Sequence, residues 1–268
     1  NILTRYIPIA LRYMKEEYGF NHAHKANVTN ISQVRMKIPV NDANEFDTDM
    51  QRNAIETNEL YLELIESTKN SKEKVASFRP QTIVSECEVN KFSLSYLFDI
   101  QRGSGKYTKK YIQNHTGEYP LYSGNTTGVF ATIDSFDFNC PCLSWAIDGL
   151  AGFMMIHNES FSATNHRGVL IPHEDKLGLI DLQYMKYTLE PLFRAAKKGR
   201  EGDNGENEYT TLPPFMIADI MVPVPVDGQG NISLDAQKEI AAKYLAIEQC
   251  KNEVISKLDS LIQQKIEL

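Results

Sequence analysis

Gly103-Ser-Gly105-Lys106-Tyr-Thr108 has the glycines and the lysine of a phosphate-binding loop. Such a loop needs a glycine five residues before Gly105 and a Ser or Thr directly after the lysine; those places hold Ile100 and Tyr107. Leu212-Pro-Pro-Phe215 has the spacing of a motif that methylates amino groups. That chemistry needs an Asn or Asp first, to hydrogen-bond the target amine, and a leucine cannot supply the bond. No glycine-rich strand–turn–helix for S-adenosylmethionine precedes it. Glu174-Asp-Lys176 has nuclease-like Glu-x-Lys spacing without a Pro-Asp partner nearby, so it reads as a solvated loop. The six histidines make no metal-ligand spacing with carboxylates, and no serine sits in a G-x-S-x-G elbow. Asp148-Gly149, inside the apolar stretch Trp145 to Gly152, is the one suspicious acid, and a hairpin turn explains it as well as catalysis does. No catalytic centre, metal or cofactor is implied.

Binding chemistry is more promising. The formal net charge is −7, so the protein is not coated in positive charge, but acids segregated onto one element leave room for a local basic groove elsewhere. Acids crowd residues 42–66: Asp42, Glu45, Asp47, Asp49, Glu56, Glu59, Glu63 and Glu66. Basic residues gather further on, as Arg102, Lys106, Lys109 and Lys110, then Arg194, Lys197, Lys198 and Arg200. The four cysteines, Cys87, Cys140, Cys142 and Cys250, are too few and too oddly spaced for a disulfide framework or a zinc knuckle, and suit reduced cytoplasmic thiols. No apolar run approaches the roughly 20 residues of a membrane helix. The opening residues lack the layout of a secretory signal and read as a cut inside a longer polypeptide.

The elements that would position these groups emerge from a repeat. Residues 31–51 align without gaps on 217–237, an offset of 186, with Ile31, Pro39, Val40, Asp49 and Gln51 falling on Ile217, Pro225, Val226, Asp235 and Gln237. Upstream, Leu11-Arg-Tyr-Met-Lys15 echoes Leu182-Gln-Tyr-Met-Lys186 at an offset of 171. Each copy reads as a helix (Leu11 to Tyr18; Leu182 to Lys197) and a short strand (Val34–Ile38; Ile220–Val224). A polar turn and a long helix capped by Asp47 or Ser233 follow.

Neither long helix, about Asp49 to Phe78 and Asp235 to Ile266, contains Gly or Pro. In the second, Ile240, Tyr244, Ile247, Val254, Leu258 and Leu261 recur at heptad spacing, with Lys251 interrupting, which calls for a helical partner. The first has a poorer stripe, Ala54, Tyr61, Ile65 and Val75. Pairing the two with each other is the economical solution. Between them lie short β-type runs (Tyr119–Tyr122, Gly128–Ala131, Cys142–Trp145, Gly152–Ile156, Gly168–Ile171) separated by Gly and Asn/Asp turns. The fold class is α+β: a β-rich globular domain with two long helices forming an antiparallel coiled-coil spacer.

With the repeat and helices established, the chain resembles the specificity subunit of a type I restriction–modification enzyme, or the matching region of a fused restriction–methylation enzyme. The resemblance is carried by Tyr119-Pro-Leu-Tyr-Ser-Gly124, Leu143 to Gly152, Phe161-Ser-Ala-Thr-Asn165, Leu182-Gln-Tyr-Met185, the strand Ile220 to Val226 and Asp235-Ala-Gln237. It implies residues 1–46 as the end of a preceding target-recognition domain and 47–90 as the first spacer helix and linker. Residues 91–227 would be a target-recognition domain and 228–268 the second spacer helix. In that family two recognition domains each read half of a split site in double-stranded DNA. Antiparallel helices hold them apart and dock methyltransferase subunits, in assemblies that can include a restriction subunit. The expected role is non-catalytic. Arg102, Lys106, Lys109, Lys110, Lys197, Lys198 and Arg200 would then neutralise phosphates. Asn125, Asn165, His166 and Arg167 would be placed to read bases, with Thr126 among the DNA-binding residues. The alternative is a helical-arm scaffold or binding module for another ligand.

Overall fold

The computed structural model describes residues 1–78, 88–200, 202 and 208–264. Helical turns come first, Thr4–Tyr6, Ile7–Ala10, Met14–Glu17 and Val28–Ile31, and then the 30-residue helix α1 (Thr48–Ser77). Strands β1 (Val89–Ser93) and β2 (Phe98–Arg102) lead to α2 (Lys109–Asn114). Next are β3 (Tyr119–Tyr122), β4 (Ala131–Ile133), β5 (Cys142–Ala146), β6 (Asp148–Gly149), β7 (Met154–His157), β8 (Ser162–Ala163) and β9 (Arg167–Pro172). Helix α3 (Leu182–Ala196), strands β10 (Lys198–Arg200), β11 (Tyr209–Thr211) and β12 (Met221–Pro225), and helix α4 (Leu234–Gln263) complete the chain. They form two compact units, Asn1–Arg79 with Glu248–Leu268, and Pro80–Ile247.

The larger unit is built on an antiparallel sheet in the order β2-β9-β5-β7. Every residue of β5 is buried, because both faces of this inner strand are covered. Leu143 and Trp145 face the core shared with Leu189 and Phe193 of α3, while Cys142 packs with Phe138 and Phe161. The Trp145 indole meets Phe193 edge to face and donates its N–H to the carbonyl of Leu212 at 2.8 Å. Gly168 is paired across from Trp145, and a Cβ there would lie 2.1 Å from the ring, so only glycine lets the indole cross strand β9. Three smaller sheets, β1-β12, β4-β3-β8 and β10-β11-β6, complete the unit. The run at Gly128–Ala131 does not form the strand expected there. Pairing begins at Ala131, and Val129 and Phe130 are exposed. Leu212-Pro-Pro-Phe215 is structural at its first residue, which is fully buried, and solvent-facing at its last.

In the smaller unit α1 pairs antiparallel with Glu248–Gln263 of α4. Lys72 meets Asp259 at 2.6 Å, Tyr61 Oη donates to the Gln264 carbonyl at 2.8 Å, and Lys251 Nζ donates to the carbonyls of Ala76 and Phe78. The half-buried seam of α1 contains Ala54, Tyr61, Ile65 and Val75, as the stripe predicts. On α4 the stripe needs two corrections. Val254 and Leu261 are exposed, and the seam runs instead through Lys251, Ile255, Leu258 and Ile262, so Lys251 belongs to it. Ile240 and Tyr244 seek no helical partner; they pack into the core of the larger unit, Tyr244 stacking on Tyr187 at 4.9 Å.

The repeat is more exact in its hydrogen bonds than in its letters. Asp47 and Ser233 each donate a backbone N–H to the carbonyl of the matching proline, Pro39 or Pro225, at 2.9 Å. Asn41 and Asp227 each accept from the backbone N–H two and four residues on. Asn44 and Gly230 both have positive φ. Gln51 and Gln237 are both fully buried, and each clips the segment before its own copy's first helix. Gln51 takes Leu3 N and gives to the Asn1 carbonyl; Gln237 takes Asp181 N and gives to the Leu179 carbonyl. Tyr6 and Tyr184 donate to the carbonyls of Lys37 and Pro223, which sets the upstream offset at 178 rather than 171. The helix expected at Leu11–Tyr18 is accordingly the broken series Thr4–Glu17. Val34–Ile38 forms no strand among the described residues, because the matching β12 depends on β1 and no such partner faces the first copy here.

Candidate nucleic-acid interface

Most of the basic and amide residues singled out above sit on edges and loops of the larger unit that touch one another. Arg102, at the end of β2, donates through Nε to the Asn165 carbonyl at 2.7 Å, and Ser104 bridges to Thr164. His166 contacts the Asp148 carboxylate through Nδ1 at 2.9 Å, and Thr211 donates to the other oxygen of Asp148 at 2.9 Å. Asp148 therefore orients His166 from strand β6, leaving Nε2 as the ring's remaining polar atom. Strand β11 carries the surface onward, pairing Thr211 with Lys198 and Tyr209 with Arg200. The loop Ser123–Gly128 lies against the same patch: a Cβ on Gly124 would meet the Asp148 carbonyl at 3.3 Å and His166 Cβ at 3.7 Å.

Lys109 and Lys110 open α2, whose first turn is capped by Thr108. Both are exposed, as are Lys198 and Arg200, and none of the four has an ion pair among the described residues. Lys106 is half exposed but engaged: it holds Asp137 at 2.8 Å, and that hydrogen bond raises its pKa well above the usual lysine range. Thr126 and Asn165 are partly exposed, and His166 is exposed.

Three expected contacts take other roles. Lys197 is buried on Glu208 at 2.7 Å, beside the bidentate pair from Arg194 at 2.8 Å, so neither cation is available to a phosphate. Arg194, then Lys197 and Thr210, hold the Glu208 carboxyl down at about 2. Asn125 spends its amide inside its own loop, accepting from Ser123 N and donating to the carbonyls of Thr127 and Gly128. Arg167 has no exposed surface: the first residue of β9 points into the unit, where Nε donates to the Ser123 carbonyl at 2.6 Å and NH1 to Ser144 Oγ at 2.9 Å. The remaining nitrogen donates to the Asn125 carbonyl.

Sequence reasoning missed Thr211, Glu208 and the orienting role of Asp148. Only the isolated acid in an apolar stretch gave a signal for any of them. Among the described residues no three His, Cys, Asp or Glu side chains cluster to hold a metal, and no helix is long and apolar enough to cross a membrane. Cys140, Cys142 and Cys250 are free thiols, and Cys87 lies outside the described residues.

The family model of the type I restriction modification DNA specificity domain matches residues 86–264. The chain belongs to that family. A type I specificity subunit of Mycoplasma pneumoniae is 35% identical over 104 residues, covering 38% of this chain and 28% of the relative. Another from the same organism is 27% identical over 176 residues, covering 65% of this chain and 64% of the relative. The chain thus spans less than two thirds of the length of either. A solved structure described as the basis of complex assembly and conformational transition of the type I R-M system superposes with a TM-score of 0.56 at 12% identity, covering 96% of this chain and 67% of that one. That likeness is one of fold. The α+β architecture with long paired helices is shared with that structure.

Proposed function

We propose that the larger unit reads one part of a bipartite site in double-stranded DNA, as the non-catalytic specificity component of a type I restriction–modification assembly. The observation that carries this reading is the company kept by its exposed cations. Arg102, Lys198 and Arg200 share one patch with Asn165, His166 and the loop that carries Thr126, and Lys109 and Lys110 add exposed cations on α2 of the same unit. Cations of that kind fix register on the phosphates, and amide or imidazole groups between them reach base edges. Asp148, itself fixed by Thr211, holds His166 so that it need not be ordered on binding. The partners are methyltransferase subunits and, where the assembly has one, a restriction subunit, docked through the helix pair.

Residues 1–46 act, in this reading, as the closing part of a second recognition module. The matched glutamine and tyrosine bonds of the two copies support that assignment. The test is selection from a random duplex pool by the 268-residue chain, with and without methyltransferase subunits. The expected result is enrichment of one short partial site, tightened by the partner. Recovery of unselected sequence in both arms would overturn the reading.

A further inference from the structure

We infer that Arg167 is a positioning residue for base recognition, a buried cation that fixes the conformation of the loop Ser123–Gly128 from beneath. The inference rests on the DNA-reading role proposed above. A guanidinium without exposed surface normally faces a carboxylate, because an isolated buried charge is costly. Arg167 has no carboxylate within ion-pair distance among the described residues, and its three hydrogen bonds go to the carbonyls of Ser123 and Asn125 and to Ser144 Oγ. Two of the three therefore end on the backbone of one short loop. The side chain also lies over the ring of Tyr122, the residue that leads into that loop.

The far side of Arg167 is equally constrained. Ser144 Oγ, which accepts from Arg167, is 2.6 Å from His157 Nε2, and His157 stacks on Phe161 at 3.9 Å between ring centroids. Ser144 Oγ, with one proton and two lone pairs, can take the NH1 bond and still pair with the imidazole, so the two contacts are compatible. Arg167 is thus braced by the core on one side and holds loop carbonyls on the other. The loop braces itself in turn through the three bonds of the Asn125 amide, with Gly128 at positive φ closing the turn. A loop with both its backbone and its one amide tied down presents Thr126 and Thr127 in a single arrangement, on a segment whose Gly124 lies against His166. Pre-ordering of this kind buys discrimination between bases, since a loose loop can adapt to a wrong one.

Arg167→Lys keeps the charge but cannot span three acceptors in a fixed plane, and Arg167→Met removes the bonds altogether. Each variant of the full chain is put through duplex selection, salt titration of binding and hydrogen exchange of the peptide covering 121–130. For both, faster exchange in that peptide is expected, with discrimination falling about 5- to 150-fold at a subset of base pairs. The other positions should keep their preference, and the slope of log K against log salt should not change, since Arg167 touches no phosphate. Asn125→Ala loosens the same loop without touching the core and should relax the same base pairs, which keeps the test open if Arg167→Met does not fold. Accelerated loop exchange with an unaltered selected site would overturn the inference while leaving DNA reading intact. A uniform loss across the site, or a changed salt slope, would overturn it as well. A wild-type chain that selects no site would instead refute the DNA-reading role, while the exchange data would still report whether Arg167 orders the loop.

Discussion

Replacing Lys109 and Lys110 together by alanine tests the proposed phosphate-binding role of these two lysines. Both side chains project from the first turn of α2 with no ion pair among the described residues, so their removal leaves no charge stranded. Each phosphate they neutralise contributes about 0.9 to the slope of log K against log salt. Losing both lowers its magnitude by up to about 1.8. Between about 50 and 200 mM salt the variant should therefore lose about tenfold less affinity than the parent does. Lys197→Ala is the internal contrast. Its side chain is only 7% exposed and spends its charge on Glu208, so the slope should stay the same while stability falls by about 1–3 kcal/mol. Fluorescence anisotropy on a labelled duplex over a salt series reads the first quantity, and urea unfolding the second. An unchanged slope in the double variant, or an equal change in Lys197→Ala, would refute this division of the cations.

Gln51→Leu and Gln237→Leu each leave one backbone N–H buried and unsatisfied, that of Leu3 or Asp181, and each should cost about 1–3 kcal/mol in urea unfolding. A large cost at Gln237 with none at Gln51 would argue against equivalence of the two copies. His157 is held at about 4, chiefly by burial and then by Arg167, so it stays neutral in the fold while the unfolded chain takes up its proton near 6.5. The stability this neutral histidine confers is complete above about pH 6.5 and is lost as pH falls towards 4; a His157→Gln variant should show a flatter decline over that window, and a parallel one would contradict the assignment.

Much of the scaffold is legible in the letters because it depends on residue size and spacing. The α1 seam, the Asp47 and Ser233 caps and the inner run Cys142–Trp145 follow from patterns that packing must respect. The upstream register does not, because Leu11-Arg-Tyr-Met-Lys15 copies the letters of Leu182 to Lys186 while the hydrogen bonding is done by Tyr6 and Tyr184. The α4 seam slips by one residue at Val254 and Leu261 because Lys251 can reach two carbonyls and so behaves as a seam residue. Cation clusters are visible in the sequence, but the duty of each cation is not. Lys197 and Lys198 are neighbours, and only the chain's return through Glu208 buries the first and leaves the second exposed. Arg167 and His166 likewise diverge because successive residues entering strand β9 point to opposite sides.

Photocross-linking tests the central claim most directly, that one patch of the larger unit meets DNA. A duplex selected by the chain, carrying 5-bromodeoxyuridine in turn at each thymine, is irradiated in complex and the linked peptides are identified by mass spectrometry. The account predicts links within 123–128, 164–167 and 209–211, abolished by excess unlabelled site. Links that map instead to α1, or to residues 1–46 alone, would contradict it.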